Sequence, residues 1–220
     1  MDDRYRYKMF PEWLKSPGWL NAEVPIAVRE ELEDAIKNHG VDARGTLRGH
    51  LKEEYHLPIG QEISRYTADL AKHYCREFGM HAATGIQEGL EPKNPDFKLN
   101  KLWVNYQKKY EFNPPHNHSG IYSFVIFVDI PFDLEKEYEY FGEVGGYRHN
   151  VPKRNSIYTS NFAFINTDYS GDIRCDSLNV DKSYEGKIIM FPAKQLHQVF
   201  PFYTSDGYRI TVSGNLRLLV

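Results

Sequence analysis

Two histidines, His116 and His118 in the run NPPHNHSG, stand two positions apart in a chain that carries nine. In an extended segment the side chains at i and i+2 point to the same face, so two imidazoles could meet one metal ion. A third, His197 in GKIIMFPAKQLHQVFP, opens the run that follows a strand begun at Gly186 and closed by Pro192. A lone histidine there is more often a hydrogen-bonded residue of a core or rim. In DGYRITVSGN, Arg209, Thr211, Ser213 and Asn215 share one face of a strand, while Ile210 and Val212 share the other. An arginine fork and a hydroxyl two residues apart can grip one carboxylate. Arg209 alone reads more readily as an exposed strand residue. Each signal is weak by itself; their order along the chain is what carries information.

These residues must be positioned by the second half of the chain. After about residue 98 the texture turns to short runs of β-branched and aromatic residues, KLWVNYQ, IYSFVIFVDI, NFAFIN, KIIMFP, HQVFPFY and YRITVSGNLRLLV. Turn chemistry separates them: NPP at 113–115, Gly145-Gly146, Ser170-Gly171, Glu185-Gly186 and Asp206-Gly207. Many short strands in succession predict a sandwich or barrel. Before that, 27–38 and 60–79 read as helices, the first ended by Gly40, the second carrying Ile63, Tyr66, Leu70 and Tyr74 at helical spacing and ending near Gly79. Residues 1–24 read as an arm that docks Trp13 and Trp19 on the body. The expected fold class is α+β, mainly β. The chain is read as one domain over 1–220, with a helical part at 1–98 packed outside a β core at 99–220.

Composition bounds the function. Aromatics make up 15% of the 220 residues, against disorder, and the net charge of −3 lacks the basic face that nucleic acid requires. No run of 18 apolar residues and no apolar signal region is visible, so neither a membrane span nor secretion is expected. Cys75 and Cys175 lie outside metal-type spacing and suit a reducing compartment, so a cytoplasmic location is expected.

The ordered set is H-x-H after a strand, then a long interval, then G-x-hydrophobic-F-P and a histidine, then R-x-T. It resembles the 2-oxoglutarate- and Fe(II)-dependent oxygenase superfamily. In particular it is similar to the prolyl-hydroxylase-like oxygenases of T4-like marine bacteriophages and related bacteria, which would make the location a host cytoplasm. The resemblance rests on WVNYQKKYEFNPPHNHSGIYSFVIFVDIP at 103–131 and IIMFPAKQLHQVFPFYTSDGYRITVSGN at 188–215, with LRGHLKEEYHLP as a fainter addition. It implies a double-stranded β-helix, a jelly roll of the cupin kind, with Fe(II), 2-oxoglutarate and O₂ at its open mouth. Carried over by position, the metal ligands are His116, His118 and His197, and the second place holds a histidine where such families place a carboxylate. An alternative alignment makes His118 the first ligand and leaves Gly120 as an empty ligand place. Arg209 and Thr211 match the groups that bind the far carboxylate of 2-oxoglutarate. Tyr106 and its neighbour Asn105 compete for a further co-substrate contact, since adjacent strand residues face opposite ways. Phe127 stands where a tyrosine is usual, with Ser123 on the same face as a substitute.

The resemblance implies oxidative decarboxylation to succinate and CO₂, coupled to hydroxylation of a C–H bond in a small-molecule or peptide substrate. No separate catalytic acid or base is implied, because the cofactor does the hard chemistry. Two rival readings stay open. One is a three-histidine dioxygenase or cupin that uses no oxo-acid. The other is a non-enzymatic β-sandwich binding module, for which the aromatic surplus speaks. The segment 132–160, with His149 in it, is long for a connection between core strands and reads as a lid or as a surface hairpin.

Overall fold

The computed structural model describes residues 18–47, 49–79, 92–144, 158–167 and 170–219, with side chains at 141–144 left aside. Among these residues eleven strands form two antiparallel sheets. β1 (Leu20–Glu23), β2 (Val41–Asp42), β3 (Glu53–His56), β4 (Asp96–Gln107), β6 (Tyr122–Asp129), β9 (Lys187–Pro192) and β11 (Arg209–Leu219) make the larger sheet, in the order β1-β9-β6-β11-β4-β3-β2. β5 (Asn113–His116), β7 (Phe162–Thr167), β8 (Ile173–Leu178) and β10 (His197–Val199) make the smaller, in the order β5-β10-β7-β8. The crossings between sheets give the jelly-roll arrangement that the many short strands predicted.

The central strands of the larger sheet are buried on both faces, which is why β6 and β9 read as continuous apolar runs. Tyr122, Phe124 and Ile126 of β6, with Ile188 and Met190 of β9, pack toward α1 (Ile26–Lys37) and α2 (Gln61–Phe78). Val125 and Phe127 of β6, with Ile189 and Phe191 of β9, turn inward to meet Phe162 and Phe164 of the smaller sheet. The inner layer is apolar at one end only. Along β11 the inward positions are Arg209, Thr211, Ser213 and Asn215, all buried. The core therefore hands over to a polar chamber at the mouth.

Both helices form where periodicity placed them. α1 ends at Asn38, whose backbone N–H and side-chain amide both donate to the Asp34 carbonyl, rather than at Gly40. α2 begins without a cap of its own. The Glu31 carboxylate of α1 accepts from the backbone N–H groups of Glu62 (3.0 Å) and Ile63 (2.8 Å), so one helix caps the other. Gly60 makes room for it, since a Cβ there would lie 2.1 Å from the Glu31 carboxyl carbon.

Three differences from the sequence expectation matter. The first sixty residues supply strands as well as a helix: β1 pairs with β9, and β3 pairs with β4. NPP, read as a turn, lies in β5. That strand is at the edge of its sheet, where prolines without N–H donors are tolerated. Within 132–160, Leu134–Val144 is a helix, α3. Residues 145–157, with His149, fall outside the described residues, as does the arm before residue 18.

Candidate active site

His116 closes β5 and His197 opens β10, and the two are direct cross-strand partners, so their side chains share a face. His118 lies beyond the end of β5, where its backbone N–H donates to the Ala193 carbonyl at 2.8 Å just past β9. The three imidazoles meet. One ligand atom from each lies within 4.8 Å of the others, and the Nε2 atoms of His118 and His197 are 3.2 Å apart. The Nδ1 of His116 is 2.7 Å from the Pro114 carbonyl, and the Nδ1 of His197 is 2.9 Å from that of Gln195. A carbonyl can only accept, so both Nδ1 atoms carry the proton and both Nε2 lone pairs are left for a cation. Rings wall the trio: Phe162 stacks on His197 at 5.4 Å, Phe191 meets it edge-on at 4.8 Å, and Trp103 lies 5.5 Å from His118.

This wall also sets the charge state. Burial, with His116 and Lys101 nearby, pushes His118 down to about 3 from its ordinary 6.5. Burial and the two neighbouring imidazoles push His197 well below the ordinary value too. His118 and His197 are thereby neutral nitrogen donors, and the three imidazoles together suit a divalent first-row metal. Gly120 has a separate reason to be glycine: its φ is +103°, and a Cβ there would lie 2.6 Å from the Leu216 carbonyl oxygen.

The trio opens on a cavity lined on its far wall by Arg209, Thr211 and Asn105. Arg209 is 1% exposed. One guanidinium nitrogen donates to the Ser160 carbonyl at 2.8 Å, the Phe127 ring lies 5.8 Å away, and Nε has no acceptor. No carboxylate forms an ion pair with it among the described residues, and burial pulls it down to about 9 from 12.5. A buried cation without a counter-charge is costly unless a ligand supplies the anion. Thr211 stands two residues on along the same face, with Asn105 Nδ2 donating to its hydroxyl at 3.2 Å and to Ser213 at 3.4 Å.

Of the two residues that competed for a co-substrate contact, Asn105 reaches the cavity. Tyr106 faces the other side of β4 and packs with His39, Tyr55 and Tyr208. Ser123 does not line the chamber; its hydroxyl donates to Gly214 and Asn215. Glu54 and Leu51 do line it and were not singled out from sequence. β3 is a short polar strand, and only its pairing with β4 shows which of its side chains turn inward.

The polar face of Arg209 and Thr211 and the imidazole trio occupy one chamber, a donor set that fits iron together with a dicarboxylate. A family model described as "Putative 2OG-Fe(II) oxygenase" matches residues 101–215, a span that contains all five of these residues. No curated protein matches the chain. Among solved structures, a Pseudomonas putida prolyl-4-hydroxylase aligns at 14% identity over 92% of this chain and 93% of its own, with a TM-score of 0.46. A Burkholderia pseudomallei oxidoreductase of the 2OG-Fe(II) oxygenase family aligns at 10% identity over 90% and 84%, with a TM-score of 0.41. A Trichoplax adhaerens prolyl hydroxylase, solved with a hypoxia inducible factor peptide fragment, aligns at 9% over 93% and 84%, with a TM-score of 0.43. With its matched segment covering the histidine trio and the buried arginine, the chain belongs to the 2OG-Fe(II) oxygenase family.

Proposed function

We propose that this protein is an Fe(II)- and 2-oxoglutarate-dependent hydroxylase in which His116, His118 and His197 hold the iron through Nε2. In the same reading Arg209 and Thr211 bind the distal carboxylate of 2-oxoglutarate. The observation that carries the reading is the buried guanidinium of Arg209, with no carboxylate partner among the described residues, in the chamber that the three imidazoles open on. Bound there, iron and 2-oxoglutarate supply oxidation of a C–H bond by O₂, with the oxo-acid leaving as succinate and CO₂.

The chain's residues do the positioning. Pro114 and Gln195 carbonyls fix the tautomers of His116 and His197, so neither ring must reorient to present Nε2. The Ser160 carbonyl orients the Arg209 fork, and Thr211 offers its hydroxyl beside it. Phe162, Phe191 and Trp103 keep water from the far side of the imidazoles. Three neutral ligands leave the charge of the metal to be balanced by the oxo-acid, which makes the anion site at Arg209 part of the metal's electrostatics. The N-terminal strands complete the larger sheet, which supports reading residues 1–220 as one oxygenase unit.

The test is succinate formation from 2-oxoglutarate by the Fe(II)-loaded protein. Turnover that requires iron and is lost in His197→Ala is the expected result. Neither turnover nor anaerobic binding of 2-oxoglutarate by the wild-type protein would falsify the reading.

A further inference from the structure

The chamber holds one more charged group, and neither the metal nor the oxo-acid accounts for it. Glu54 is 1% exposed, is the buried residue of β3, and lines the same cavity. It is the cross-strand partner of Asn105, which is in turn the partner of Thr211. The three side chains therefore stand in one row across β3, β4 and β11. Among the described residues no hydrogen bond or ion pair engages the Glu54 carboxylate. Arg44, the cation whose charge acts on Glu54, is spent on Asp42 at 2.6 Å. The loop beside it is shaped around it, since a Cβ at Gly49 would lie 2.9 Å from Glu54 Oε1 and 3.1 Å from Oε2.

Glu54 lies outside the metal-binding cluster. It would repel a dicarboxylate rather than hold one. The unmet hydrogen-bonding atoms of the chamber divide accordingly. At Arg209 an Nε donor lacks an acceptor, while in the row beside Thr211 the Asn105 Oδ1 acceptor lacks a donor. A dicarboxylate can serve only the first. The second calls for a ligand bearing N–H donors and positive charge, with Leu47 and Leu51 as its apolar surroundings.

Resting on the oxygenase reading, we infer that Glu54, seconded by Asn105 Oδ1, is the substrate-recognition group of this chamber and receives a protonated amino group, so that the substrates are amines. Glu54 is a specificity residue that binds the substrate's cation and takes no part in holding iron or 2-oxoglutarate.

The experiment uses the full chain loaded with Mn(II) and 2-oxoglutarate, as wild type and as Glu54→Gln. Binding of L-lysine, L-prolinamide and putrescine is measured by calorimetry, each against its N-acetylated form. The inference expects at least one amine to bind the wild-type protein and to bind at least tenfold more weakly after N-acetylation or in Glu54→Gln. The affinity for 2-oxoglutarate should not fall in Glu54→Gln, since the substitution removes a like charge from the chamber. If no amine of the panel binds, or if acetylation and Glu54→Gln leave binding unchanged, the inference is overturned while the oxygenase reading stands. Failure of the wild-type protein to bind 2-oxoglutarate would instead remove the reading on which it rests. The N-acetyl comparison needs only the wild-type chain, so a folding defect in the variant leaves the test intact.

Discussion

His118 and His197 approach to 3.2 Å at Nε2. Both sit below their ordinary 6.5 through burial, His118 at about 3, so the unfolded chain takes up protons at these sites before the folded one does. Their contribution to stability is full above pH 6.5 and is lost as pH falls from 6.5 toward 3. The metal-free protein is therefore expected to melt at a lower temperature at pH 5 than at pH 7.5, and His118→Asn to blunt that difference. Melting curves across this range check it; a wild-type melting point that rises on acidification would contradict it. Glu54 behaves in the opposite sense. Burial, reinforced by Asp42 and Glu111 and partly relieved by Arg44, raises it to about 7 from 4.5. Its cost is absent below pH 4.5 and accrues as pH rises to 7. Glu54→Gln should therefore stabilise the ligand-free protein at pH 8, by on the order of 1–3 kcal/mol, and leave it nearly unchanged at pH 4.5. Chemical denaturation at the two pH values measures this, and equal stability of both proteins at pH 8 would count against a buried, unpaired carboxylate.

One helix reaches the arginine site through the side chain of Glu137. Glu137 of α3 is wholly buried and accepts hydrogen bonds from the backbone N–H groups of Tyr203 and Thr204 and from the hydroxyls of Thr159 and Thr204, at 2.6–3.0 Å. It thereby fixes the segment that ends in Ser160, a residue at φ +60° whose carbonyl receives the Arg209 guanidinium. Glu137→Ala leaves these donors unmet and should cost about 3 kcal/mol of stability. It should also weaken 2-oxoglutarate binding more than it changes metal affinity, which separate titrations of the two would show; equal losses would mark a general defect. Little of this linkage could be read from sequence, because Glu137 sits in a charged run, LEKEYEYFGEV, whose other members suit a solvated face. The strands that were legible, β6, β9 and β11, announce themselves by apolar runs or strict alternation. β1, β3 and β5 are four residues each and polar or proline-containing, so their strand state comes from the neighbour they pair with. The convergence of the three histidines was legible because their residue type is rare and their order distinctive. Glu54 was not, since a glutamate in KEEYH carries no mark of burial.

Taken whole, the molecule is a two-sheet container whose apolar end is closed by rings and whose polar end keeps unmatched charges of both signs. Two helices brace the outer face of the larger sheet and leave its inner face to the chamber. Among the described residues no helix is long and apolar enough to cross a membrane. A structure of this kind holds a buried arginine at a cost that its ligand removes, so ligand binding and stability should be coupled. Arg209→Met, close in size and without charge, is expected to be at least as stable as the wild-type chain when empty and to gain nothing from 2-oxoglutarate. The most direct measurement is an anaerobic calorimetric titration of 2-oxoglutarate into the Fe(II)-loaded protein. The account predicts one equivalent bound per wild-type chain, none without metal, and an affinity at least 100-fold weaker in Arg209→Met, on the order of 3 kcal/mol for a charge-assisted pair in a buried site. Equal binding by the wild type and Arg209→Met, or binding indifferent to the metal, would contradict it.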